Sequence, residues 1–136
     1  MPRRIKARTP EYRLLITPSV SERTRKPTTL FVLETAQSFA AFRYDLTVEE
    51  RLDQHSVFFR ILGLKTPALN LPSAGRAQFV REFENLNGTY EVTVVGLDGG
   101  ASMCTVTISP EKVEVLRPPA GSSLRVATRS THWTHD

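Results

Sequence analysis

Asn87-Gly-Thr-Tyr-Glu-Val-Thr-Val-Val-Gly-Leu-Asp-Gly-Gly100, continued by Ala101-Ser-Met-Cys-Thr-Val-Thr-Ile108, is the stretch that decides the fold class of this chain. Tyr90, Val92 and Val94 alternate with Thr89, Glu91 and Thr93, and Cys104, Val106 and Ile108 alternate with Met103, Thr105 and Thr107. A period of two sends one set toward a core and the other toward water, as a half-buried antiparallel strand requires. Asp98-Gly99-Gly100 supplies the tight turn between the two runs, because glycine accepts the positive φ of hairpin turns. Asn87-Gly88 marks a turn before them. A β-hairpin is expected here.

Outward from this hairpin the same signal recurs. Lys112-Val-Glu-Val-Leu116 reads as a closing edge strand, ended by Pro118-Pro119. Upstream, Phe42, Tyr44, Leu46 and Val48 alternate with Arg43, Asp45, Thr47 and Glu49. Ser56–Gly63 and Thr29–Glu34 read as strands, the latter apolar on both faces, and Tyr12–Thr17 as a first, edge-type strand. Residues 76–84 are ambiguous. Phe79, Val80, Phe83 and Leu86 have helical spacing, whereas Ala77, Phe79 and Phe83 fit one strand face with Arg81 as an intruder; the neighbouring hairpin favours strand. Seven or eight short strands without a long helix predict an all-β chain: a two-sheet antiparallel, immunoglobulin-like sandwich, with a barrel as the alternative.

The chain has 136 residues, 40% hydrophobic and 24% charged, which fits one globular domain. The expected division is a basic N-terminal arm (1–27), a β domain (28–117) and a flexible tail (118–136). Of the net charge of +4, residues 1–27 carry eight basic against two acidic residues, a net of +6; residues 28–117 carry eight against eleven, a net of −3. The high pI therefore belongs to the arm and not to a domain face. No apolar run approaches the roughly 20 residues of a spanning helix. The single cysteine excludes an internal disulfide and fits a reducing compartment, so a cytoplasmic location is expected.

The run Gly88-Thr-Tyr-Glu-Val-Thr-Val94 with its return strand resembles the last hairpin of immunoglobulin-like and PKD-type bacterial sandwich domains. That resemblance implies that Tyr90 is a corner tyrosine whose hydroxyl bonds back to nearby backbone, with Gly88, Gly99 and Gly100 as structural turn residues. It implies no activity.

Candidate chemistry is sparse. Cys104 lies mid-strand beside Val106 and Ile108, where a small hydrophobe belongs and a thiolate does not. His55 near Asp53 offers a general-base pair, but in a polar turn. His132 and His135, with Trp133 and Asp136, have metal-capable side chains without a rigid frame. The carboxylates Asp45, Glu49, Glu50, Glu82 and Glu84 read as wet strand faces, and no phosphate loop, GxSxG, HExxH or CxxC occurs. Asn87-Gly88-Thr89 matches a glycosylation sequon that a cytoplasmic chain would not use. No cofactor and no metal is implied, and a non-enzymatic protein-interaction module is expected, binding a protein partner or self-associating as a homodimer through its edge strands. The alternative is nucleic-acid binding by Arg3, Arg4, Lys6, Arg8, Arg13, Arg23, Arg25 and Lys26; engaging about six phosphates would make affinity fall roughly a thousandfold between low and physiological salt. A further alternative is a small-ligand or enzyme site in the loops 49–56 and 65–76.

Overall fold

The structure, a computed structural model, describes residues 12–39, 45–65, 75–121 and 123–128. Nine strands are found there and no helix: β1 (Tyr12–Val20), β2 (Pro27–Phe39), β3 (Asp45–Leu52), β4 (Ser56–Lys65), β5 (Gly75–Glu84), β6 (Gly88–Val95), β7 (Ala101–Ile108), β8 (Val113–Arg117) and β9 (Leu124–Ala127). The all-β class is as the alternation predicts. The strands join in one sheet, in the order β8-β7-β6-β4-β3-β5-β2-β1-β9, which curls into a half-barrel.

Curling follows from where the apolar residues fall. Phe31 and Leu33 of β2, Phe59 and Ile61 of β4, Val92 of β6 and Val106 of β7 all lie on the concave face and are buried. Although β3 and β5 separate β2 from β4 in the sheet, the Phe31 and Phe59 rings meet edge to face at 5.6 Å. Phe83 packs on Phe31 and Phe79 on Phe59, each at 5.6 Å. Such pairs contribute about 0.5–1.5 kcal/mol each beyond area burial. The two halves therefore close on one aromatic core.

Among the described residues the halves join at the β3–β5 seam by one registered pair, Asp45 and Gln78. Beyond it Arg81 spans the gap. Its Nε donates to Glu50 at 3.0 and 2.8 Å, and its guanidinium lies 4.5 Å from the centre of the Phe83 ring. This resolves residues 76–84 as strand: Arg81 stands on the apolar face because β3 supplies its carboxylate and Phe83 its platform.

Several expectations are corrected by the pairing. Tyr12–Thr17 is not an edge, since β1 has β2 on one side and, along residues 12–15, β9 in parallel on the other. Leu124–Ala127 is a strand with Leu124 and Ala127 buried, within the region expected as a flexible tail. Residues 49–52 extend β3 rather than beginning a loop. Residues 42–44, and residues 66–74 of the loop expected over 65–76, lie outside the described residues, while Lys65 ends β4 and Gly75 and Arg76 begin β5.

At one end the margins of the sheet meet. The Leu97 amide donates to the Tyr12 hydroxyl at 3.4 Å, and the Ser102 and Ser123 hydroxyls are 3.3 Å apart. Gly96 fits closely there, because a Cβ would stand 3.0 Å from Cε2 of Tyr12 and the ring would have to give way. At the other end the margins part.

Candidate functional site

Where the margins part, a cleft of about 490 Å³ opens between β8 on one side and β1 and β9 on the other. Its apolar surface comes from Val113, Val115 and Val126, with Pro18 beside them. Glu111, Lys112 and Glu114 form its charged rim. Lys112 Nζ lies 4.0 Å from Glu114 in an exposed pair worth little in water.

The hydrogen bonding shows which backbone groups face this cleft. Ser109 and Lys112 exchange amide-to-carbonyl bonds of 2.9 and 3.4 Å, closing the β7–β8 hairpin. Bonded and non-bonded pairs alternate along an antiparallel ladder, so Glu114 bonds toward β7 while Val113 and Val115 turn their N–H and C=O to the open side. On the opposite margin the Tyr12 amide donates to the Ser123 carbonyl at 3.1 Å. That bond sets Arg125 and Ala127 toward β1 and leaves Leu124 and Val126 turned outward. No described strand pairs with either free edge. Ile16 and Pro18 of β1 face the same space beyond the end of β9, and Pro18 offers no N–H to it.

The residues singled out from sequence fall elsewhere. Tyr90 is buried at the passage from β5 to β6, and its hydroxyl accepts the Asn87 amide at 3.3 Å. Gly88 and Gly99 have φ of 125° and 88°, which only glycine adopts without strain. Gly100 lies in the same turn, its amide donating to Asp98 Oδ1 at 2.9 Å. Cys104 is buried, and burial pushes its thiol up from 9.0 to about 11, so it holds its proton at neutral pH. Asp53 is occupied by its own turn, accepting the Ser56 hydroxyl at 3.3 Å, while His55 is exposed with its ring 6.5 Å from that of Tyr90. Glu82 and Glu84 accept the hydroxyls of Thr28 and Thr24 at 3.0 and 3.4 Å. Among the described residues no group of three or more His, Cys, Asp or Glu side chains could hold a metal ion.

Of the basic residues, Arg3, Arg4, Lys6 and Arg8 lie outside the described residues, as do His132, Trp133, His135 and Asp136. Arg23, Arg25 and Lys26 are exposed around the β1–β2 turn, where Arg25 has a positive φ of 62°. Arg13 is corrected: it is 2% exposed, with Nε 3.9 Å from Glu34, and is unavailable to a phosphate backbone. Sequence reasoning flagged Val113 and Val115 only as edge residues, and missed Pro18, Val126 and Thr128 as cleft residues. The strand that brings them together had been read as tail.

Comparison with known protein families, with curated proteins and with solved structures finds no match to this chain. No helix among the described residues is long and apolar enough to cross a membrane.

Proposed function

We propose that this protein is a non-enzymatic interaction module of a reducing compartment, the cytoplasm, which takes an extended segment of a partner protein at the open margin of its sheet. The observation that carries the proposal is the cleft between the free edges of β8 and β9, with Val113, Val115 and Val126 directing toward it ladder groups that no described strand pairs. An added strand satisfies those groups and covers the apolar floor, a recognised mode of peptide binding. Immunoglobulin-like sandwich character is part of the same reading. It is supported by the two halves packing through Phe31 and Phe59, and by the Tyr90 hydroxyl bonding back to the Asn87 amide where the chain passes between them.

The test is capture from source-cell lysate by the tagged full chain and by Val113→Pro. This substitution removes an N–H that points into the cleft, at the first residue of an edge strand, where proline is tolerated. A defined protein held by the wild type, indifferent to nuclease and lost with Val113→Pro, supports strand addition. Capture that vanishes with nuclease transfers the function to nucleic acid and the exposed basic residues. Capture unchanged by Val113→Pro places the partner elsewhere.

A further inference from the structure

The pleat of β8 dictates what its added strand must look like. Val113 is buried and Val115 half-buried on the concave side, whereas Glu114 between them is exposed on the other. A strand laid along this edge shares the pleat, so residues beside the valines meet the apolar floor and the residue beside Glu114 meets a carboxylate. Glu111 adds a second carboxylate at the rim. The matching segment alternates basic and apolar residues. This chain carries such a run: Arg4-Ile5-Lys6-Ala7-Arg8.

We propose that the Arg4–Arg8 segment of a second copy adds to the free edge of β8, with Ile5 and Ala7 on the side of Val113 and Val115 and Lys6 beside Glu114. The proposal rests on the strand-addition reading above and names its occupant. Charge favours it at the edge itself, because residues 1–11 carry four basic residues against Glu11, a net of +3, while Glu111 and Glu114 stand on the β8 rim. A second copy is the better source than the same chain. Within one copy the arm joins β1 at Tyr12, at the end anchored to Leu97, while the rim of the cleft adjoins Thr17 and Pro18. Five residues of strand separate Tyr12 from Thr17, roughly 17 Å. Ile5 would have to double back over that length and cross to β8 on seven residues that include Pro10, an extended return with at most about 25 Å of reach. A second copy meets no such limit, and reciprocal exchange of arms closes a two-fold dimer.

Sedimentation velocity of the full chain tests this. The wild type is expected to show a concentration-dependent dimer that weakens with salt. Arg4→Glu/Lys6→Glu/Arg8→Glu and Glu111→Lys/Glu114→Lys should each raise the dimer dissociation constant roughly tenfold or more. An equimolar mixture of the two variants should restore association, since the acidic arm of one then meets the lysines of the other. Glu111 and Glu114 are exposed, and unchanged melting curves will show that both variants fold. A wild type monomeric at every concentration, or a dimer indifferent to both charge reversals, overturns the arm as occupant. If such a chain still captures a defined protein in a Val113→Pro-sensitive manner, strand addition stands with a different occupant. If that capture is absent too, both readings fall.

Discussion

Replacing Glu34 by leucine should destabilise the protein far more than replacing Glu34 and Arg13 together. Arg13, Glu34 and Gln78 stand in one cross-strand row over β1, β2 and β5. The side chains of Arg13 and Glu34 are 2% and 8% exposed, and Glu34 Oε1 accepts the Gln78 amide at 2.8 Å. Glu34→Leu withdraws a carboxylate from a guanidinium that stays buried, a change that costs about 3–5 kcal/mol. For a domain whose whole stability is of order 5–15 kcal/mol, that is a large fraction. Arg13→Met/Glu34→Leu replaces both charges by apolar groups of comparable size, and such double changes are near neutral or stabilising. Equilibrium urea unfolding of the wild type, both single variants and the double variant closes the cycle, with a coupling of at least about 2 kcal/mol expected. Equal m-values are needed for the comparison, since a change in slope would report an altered denatured state. If Glu34→Leu costs under about 1 kcal/mol and adds simply to Arg13→Met, Glu34 is not the charge that balances the buried guanidinium, and the reasoning fails.

Cys104 should react with a thiol reagent only at the rate of unfolding, and at once in denaturant, because its thiol is buried and holds its proton to about pH 11. Its folded pKa lies above the unfolded one, so its contribution is intact below about pH 9 and is lost as pH rises toward 11, a fall of about 2 kcal/mol absent from Cys104→Ala. Tyr90→Phe removes the acceptor of the Asn87 amide and should cost about 1 kcal/mol, read as a melting shift of about 3 °C. Gly99→Val forces a branched side chain to φ 88° and should cost about 1–2 kcal/mol in the same melt, whereas Gly100→Ala should cost less. Pro18→Val restores an N–H facing the cleft and should increase self-association in light scattering.

What could be read in the sequence was what is local. The hairpin over residues 88–108 needs only its own alternation and Gly99, and β6 and β7 form where the pattern puts them. Residues 76–84 were ambiguous because Arg81 interrupts an apolar face, and the carboxylate that makes it tolerable, Glu50, is 31 residues away. Arg13 looks like a member of a basic arm for the same reason, since Glu34, which faces it across the β1–β2 ladder, lies far along the chain. Leu124-Arg-Val-Ala127 has four residues and no turn signal strong enough to announce a strand; it becomes one by pairing with the edge that β1 presents. The Asp45–Gln78 pairing that, among the described residues, makes one sheet of the two halves is likewise a matter of tertiary geometry. The cleft could not be foreseen because it depends on β9.

The open margin is nevertheless written into the chain by three separate local features. β9 stops at Ala127, leaving Ile16 and Pro18 facing the cleft. Pro18 has no N–H to offer there, which removes a ladder bond between β1 and β8 where their Cα atoms approach within 8 Å. β8 itself is bulged: Val115 pairs with Val106 and Arg117 with Thr105, which makes Leu116 the extra residue, 55% exposed. A bulge twists an edge and shortens the length able to pair with a neighbour. Each feature alone would leave a minor defect in a closing barrel; together they keep its two edges apart over an apolar floor. A sheet meant only to be stable would gain by closing, because closure removes edges altogether. The consistent local choice against closure supports the margin between β8 and β9 as the proposed docking site.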